Sequence, residues 1–262
     1  MAMLRTRRGA SYPSPDLRFP DGRHSVVDVF SITDEWVKDL EGLSFSVPVS
    51  HVYNPLIYAR RPYLRYMERY GIPPKDALLV GMNPGPFGMV QTGVPFGDVV
   101  MVRDWLGICE PVGKPRREHP KRPVQGFACP RREISGSRLW GWARDQFEEP
   151  EGFFRHFLVV NYCPLCFLEE TGRNRTPDKL PVYERARLFE VCDRALALLV
   201  DYYRPRFVIG IGGFAETRIR AALSGSGAHI GRIPHPSPAS PSANRGWAEA
   251  ATRALIRLGM VS

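Results

Sequence analysis

Lysine is scarce in this 262-residue chain: of 36 Lys and Arg residues only 5 are lysine. Arginine stays protonated and cannot form a Schiff base, so covalent amine chemistry of the lyase type has few candidates. Cysteine is also sparse and odd in number, at positions 109, 129, 163, 166 and 192. No signal peptide and no run of 18 apolar residues accompanies them, which argues against a secreted disulfide scaffold or a membrane span and for a reducing compartment. Cys163 and Cys166 form a C-x-x-C, a pattern of redox or iron–sulfur sites, but the other cysteines are not at ligand-like spacing. Neither a metal nor a cofactor is expected. A further absence is local: "GMNPGPFGMVQTGVPFG", Gly81 to Gly97, contains no ionisable side chain.

Positive charge is plentiful. A net charge of +9 and a pI near 9.6 suit a polyanionic partner, either nucleic acid or an anionic membrane surface. Residues 1–20 carry Arg5, Arg7 and Arg8 among prolines and read as a disordered basic arm. Residues 21–262 contain no long low-complexity linker and are expected to form a single domain. Within them, Gly113 to Arg138 is basic and proline-rich, and is expected to be an irregular surface excursion: either a solvated loop or a surface that tracks phosphates.

Four apolar runs punctuate the chain: "ALLVGMN" from Ala77, "HFLVVNYCP" from His156, "RFVIGIGG" from Arg206 and "HIGRIPHPSP" from His229. The first three are near-continuously hydrophobic, as buried parallel strands are. Helical spacing separates them, with Tyr63, Met67 and Tyr70 before a Gly71 stop, and Leu188 to Tyr202 further on. A last helix is predicted from about Ala243, with Trp247, Ala251, Leu255 and Leu258 on one face. Alternation of strand and helix predicts a three-layer α/β/α sandwich around a mainly parallel four-stranded sheet. Ligands of such sheets bind beyond the carboxyl ends of the strands, and here those ends run into Asn83, Asn161 and His235.

Each of these residues has two readings. "GIGGF" at Gly210 resembles a dinucleotide turn but lacks the full glycine spacing, so a tight strand-to-helix turn is favoured. His235 is either structural or presented by the stiff Pro/Ser loop that follows it. Asn161 is either a strand-end cap or an amide whose donor and acceptor match the N3–H and O4 edge of a pyrimidine. Phe96 is either core or a ring that stacks on a base.

Taken together, "GMNPGPFGM…TGVPFG", "NYCP", "HPSPxxPxANxGW", "HPKRP" from His119 and "SGSRLWGW" from Ser135 closely resemble the single-strand-selective monofunctional uracil-DNA glycosylases of the uracil-DNA glycosylase superfamily. The resemblance runs from about Val52 to Trp247. It implies a base-excision-repair enzyme that hydrolyses the bond between deoxyribose and uracil and leaves an abasic site, and it makes residues 21–262 one glycosylase domain. Asn83 would hold the attacking water and His235 would donate to uracil O2. Asn161 would read the pyrimidine edge and Phe96 would stack on the ring, with Met82, Gly85 and Met89 completing the base contacts. A bulky residue at the place of Gly85 blocks a 5-methyl group in uracil-only relatives, so glycine implies room for 5-hydroxymethyluracil. Pro236, Ser237, Pro238, Ala239, Ser240, Pro241, Asn244 and Arg245 would form the wedge that fills the gap left by a flipped base. Better-known members carry arginine two residues beyond the serine, where this chain has Ala239.

The expected partner is uracil-containing DNA, single- or double-stranded, met by a monomer with no membrane association. The expected place is the bacterial cytoplasm at the nucleoid, or the nucleus in a eukaryote. Alternatives are a glycosylase of deaminated purines such as hypoxanthine or xanthine, a non-catalytic sensor of DNA damage, and a nucleotide-cofactor enzyme built on "GIGGF".

Overall fold

The computed structural model of the protein describes residues 28–240 and 243–260. The basic arm therefore lies outside the described residues, as does Pro241. Strands β1 (Val49–Tyr53), β2 (Ala77–Gly81), β3 (Phe157–Asn161), β4 (Cys166–Glu169), β5 (Asn174–Arg175), β6 (Phe207–Ile211) and β7 (His229–Ile233) form two sheets. Helices are α1 (Val29–Glu41), α2 (Pro55–Tyr58), α3 (Arg60–Tyr70), α4 (Met89–Thr92), α5 (Ile134–Phe147), α6 (Pro150–Phe154), α7 (Val182–Tyr203), α8 (Gly213–Ala222) and α9 (Trp247–Arg257).

The main sheet is four-stranded and parallel throughout, in the order β3-β2-β6-β7. Every residue of β2, β3 and β6 is buried, which explains their unbroken apolar character; β7 lies at the edge and alternates exposed with buried positions. Leu78, Leu79, Leu158 and Val159 are at zero exposure, so truncating any of the leucines to alanine costs about 2–5 kcal/mol. Helix α7 packs against α1 and α8, whereas α5 packs against α6 and α9. Gly210 lets α8 approach β6, since a Cβ there would lie 2.3 Å from the backbone nitrogen of Glu216. "GIGGF" is thus a strand-to-helix turn, with Gly212 at a φ of 94° and α8 starting at Gly213.

Three features depart from the sequence reading. A second, antiparallel sheet of order β1-β4-β5 was not predicted: β4 lies just beyond Pro164, where the apolar run from His156 ends, and at four and two residues β4 and β5 are too short to show a strand period. The last helix starts at Trp247 rather than Ala243, because Ala243–Arg245 form a 3₁₀ turn and Gly246, at a φ of 98°, separates the two. The segment from Gly113 to Arg138 is not wholly a surface excursion. His119 and Val124 are buried within it, Tyr53 accepts from His119 N–H at 2.6 Å and donates to the Arg122 carbonyl at 2.9 Å, and α5 begins at Ile134. Lys114, Arg116, Arg117, Lys121 and Arg131 remain exposed around that anchored centre.

Candidate active site

The site is assembled at the carboxyl edge of the parallel sheet. Gly81 and Asn161 are partners in the β2–β3 register, and the ladder continues beyond both strands: Tyr162 N–H donates to the Gly81 carbonyl and Cys163 N–H to the Met82 carbonyl, each at 2.9 Å. These bonds fix where the chain leaves the sheet, and so the half-buried Met82 and Asn83. Asn83 donates through Nδ2 to the Leu165 carbonyl at 3.2 Å. With the amide nitrogen committed, Oδ1 is left as the acceptor, the half of the amide that can hold a water hydrogen.

Gly81 also forms the floor of the site. A Cβ on it would lie 2.5 Å from Asn161 Oδ1 and 2.6 Å from the Phe96 ring. Only glycine lets the amide and the ring meet over β2. Asn161, 7% exposed, donates to Met89 Sδ at 3.2 Å. A thioether is a weak acceptor, so a carbonyl oxygen can replace it at little cost. A cavity of about 20 Å³, no more than a water's room, borders Asn161 and Met89. The Phe96 ring then continues toward His235, centroid to centroid 6.0 Å.

His235 stands two residues beyond β7, its side chain against Gly212. Ser237 N–H donates to its Nδ1 at 3.0 Å, so a neutral ring carries its proton on Nε2. Burial lowers its pKa, favouring that neutral form. Asn83 thus presents an acceptor and His235 a donor, from strands separated by one intervening strand, or about 10 Å at ordinary strand spacing.

Two loops frame the site. The Gly85–Thr92 segment is clamped by Gln91, whose buried amide donates to the carbonyls of Pro86 and Pro123 and accepts from Gln125 and Gly126 N–H. Asn174 Nδ2 adds a bond to the Pro84 carbonyl at 3.4 Å. In the second loop, Arg138 of α5 donates to the Pro236 carbonyl at 2.9 Å and to Asn244 Oδ1 at 3.1 Å, and Asn244 donates to the Pro238 carbonyl at 2.9 Å. Ser237 Oγ accepts from Ala239 N–H and the Ser237 carbonyl from Ser240 N–H, leaving Pro238 and Ala239 exposed at the tip beside an exposed Arg245.

The structure thus brings Asn83, Gly85, Met89, Phe96, Asn161 and His235 to one sheet edge and gathers Pro236 to Ser240 with Asn244 and Arg245 into one loop. Arg138, Gln91 and Glu133 were missed by sequence reasoning, although Arg138 lies inside "SGSRLWGW". So was Phe87, whose ring lies under Arg131 at 4.1 Å and near Arg122 at 5.5 Å. Among the described residues, no group of three or more His, Cys, Asp or Glu side chains is placed to hold a metal ion, and Cys163, Cys166 and Cys192 are buried free thiols.

Fold and site together define a parallel α/β/α protein with an uncharged, amide-lined site of base-like hydrogen-bonding character at its carboxyl edge. A family model described as the uracil DNA glycosylase superfamily matches residues 69–256. The chain is 49% identical over 225 residues to the single-strand selective monofunctional uracil DNA glycosylase of Mus musculus, covering 85% of this chain and 81% of that one. It is 50% identical over the same length to the proteins of that name from Rattus norvegicus and Bos taurus, covering 81% and 83% of them. The crystal structure of wild-type Pedobacter heparinus SMUG2 superposes with a TM-score of 0.61 at 17% identity, over 87% of this chain and 98% of the other, and shares the fold. The protein belongs to the uracil DNA glycosylase superfamily.

Proposed function

We propose that this protein is a monofunctional DNA glycosylase that hydrolyses the N-glycosidic bond of uracil in DNA. The observation that carries the reading is the complementary pair at the sheet edge: an Asn83 oxygen free to accept and a His235 Nε2–H free to donate. The bond between C1′ and N1 breaks with its electron pair leaving on the pyrimidine. Nε2–H of neutral His235 stabilises the charge that gathers on O2, and a water held by Asn83 Oδ1 adds to C1′. That water gives up one proton to solvent, and the pyrimidine anion takes one. Ordinary glycosidases flank the bond with two carboxylates because an alkoxide leaving group must be protonated. A delocalised nucleobase anion leaves without that help, so an uncharged loop suffices.

Asn161 reads the pyrimidine edge while Phe96 stacks beneath the ring, worth about 1–3 kcal/mol per base. Gly85 brings no side chain of its own to the C5 side, where the place of a Cβ is taken by the Glu133 carboxyl at 2.4 Å, and 5-hydroxymethyluracil is the proposed second substrate. The exposed arginines from Arg116 to Arg131, one of them resting on Phe87 of the recognition loop, suit the phosphates of either single- or double-stranded DNA. Lysine chemistry has no place in the site. Lys75, the buried one with its pKa lowered by burial to about 8, sits before the amino end of β2, roughly 16 Å of strand away from Asn83, and its ammonium is bound by the Phe154 carbonyl. The product is therefore an abasic site with an intact strand, released by a monomer.

The test is a labelled oligonucleotide bearing uracil, single-stranded or opposite guanine, treated with enzyme and then with hot alkali. Strand cleavage only after alkali, and its loss with Asn83→Ala, is the expected result. Cleavage without alkali would overturn the monofunctional assignment, and undiminished cleavage by the variant would overturn the role of Asn83.

A further inference from the structure

Glu133 precedes α5 and is held by its backbone, donating N–H to Asp98 Oδ2 at 3.0 Å and accepting from Ser137 N–H at 2.8 Å. Its side chain passes beneath the recognition loop. A Cβ on Gly85 would lie 2.4 Å from Oε1, one on Gly88 2.3 Å from Cδ and Oε2, and one on Gly136 2.7 Å from Oε2. Three glycines therefore wrap a single carboxyl, and any side chain at those places would expel it. Within this cradle Oε2 is buried and has no hydrogen-bond partner.

The charged neighbours explain the carboxyl's state. Asp98 is fully buried and binds Arg132 at 2.8 Å, so the nearby cation is already spent on another carboxylate. The Cys166 thiol lies close enough for its pKa to be raised partly by Glu133 and is itself uncharged at neutral pH. Only the Gly136 N–H opposes the burial.

We propose, resting on the assignment of Gly85–Met89 as base-recognition loop, that Glu133 is a positioning residue whose carboxyl props this segment from below and sets the wall facing the pyrimidine C5 position. Burial, with Asp98 adding to it, raises its pKa to about 7, so the prop works as a neutral acid. Ionised in place, it would be a buried anion with an unmet oxygen. Such a group draws in water or swings out, and either removes the support.

The experiment compares wild type, Glu133→Gln and Glu133→Ala from about pH 6 to pH 9. Single-turnover uracil excision yields the half-saturating enzyme concentration and the maximal rate; amide hydrogen exchange of peptides covering 85–92 is followed without DNA. Glu133→Ala is expected to raise the half-saturating concentration about tenfold with a smaller change in maximal rate, and to speed exchange in the loop. Glu133→Gln, isosteric and uncharged, should recover most of that loss and abolish the weakening that wild type shows as pH rises through 7. A wild-type pH dependence in Glu133→Gln would overturn the proposal, as would a Glu133→Ala protein with wild-type half-saturation and loop exchange. Should the alanine protein fail to fold, the glutamine protein decides alone by its pH profile and exchange. An absence of excision by wild type would fall on the glycosylase reading, while loop exchange would still judge Glu133.

Discussion

The two loops over the site are built on opposite terms. The loop from Gly85 is buried from Gly88 onward, and its constraints come from several directions: the Gln91 amide, Asn174 and the Glu133 carboxyl. The loop after β7 is exposed at its tip; among the described residues Arg138 grips Pro236 and Asn244 together, and the Trp247 indole holds the Pro234 carbonyl at its base. A surface that must reject a methyl group has to resist displacement by fractions of an ångström, and stiffness serves it. A wedge that enters a base stack needs only to be aimed. Under the proposed function, discrimination and penetration would fall to loops that are held in different ways.

The largest expected effect tests the stiff side: Asn83→Ala lowers single-turnover uracil excision by about 10³, equally on single- and double-stranded DNA. His235→Ala is expected to cost about 10²–10³, as loss of one donor to a developing anion does. In the wild type the acid limb of the rate should lie below the usual histidine range, because protonation must break the Ser237 bond and charge a buried ring. The linked stability has the same sign: the unfolded chain binds the proton more readily, so stability is full above pH 6.5 and falls below it, which thermal melts against pH would register. Arg138→Ala separates the loops, with about a tenfold loss on duplex DNA and less than threefold on single strands; equal losses would show that the clamp serves the base site as well. Smallest is Ala239→Arg, expected to raise duplex activity two- to fivefold, about 0.4–1 kcal/mol, and to leave the single-strand rate alone. No gain on duplex DNA would mean that the tip does not enter the stack.

The parallel sheet was legible because β2, β3 and β6 are buried on both faces, which leaves an unbroken apolar signature. The antiparallel sheet was not, since β4 and β5 are four and two residues long, too short for a period to show. Strand-end residues were found for a similar reason: polar side chains after an apolar run are conspicuous. The long-range contacts of Glu133, Gln91 and Arg138 act across 32 to 106 residues of chain, and an exposed-looking arginine or glutamate near prolines carries no local mark of such a contact. Asn83, Asn161 and His235 announce themselves; what aims them and shapes the loops around them does not.

Phe96 holds a backbone φ of 52°, a conformation that glycine enters freely and a phenylalanine enters at a cost of about 1–2 kcal/mol. Its carbonyl is secured by the Trp140 indole at 2.9 Å, and its ring lies between Gly81 and His235. The ring more than offsets that strain: Phe96 is 7% exposed within the main hydrophobic core, and truncating a buried phenylalanine costs about 3–5 kcal/mol. An awkward backbone is thus held in place by packing, and a library selected for heat resistance alone should keep an aromatic ring at position 96 even where nothing selects for DNA repair.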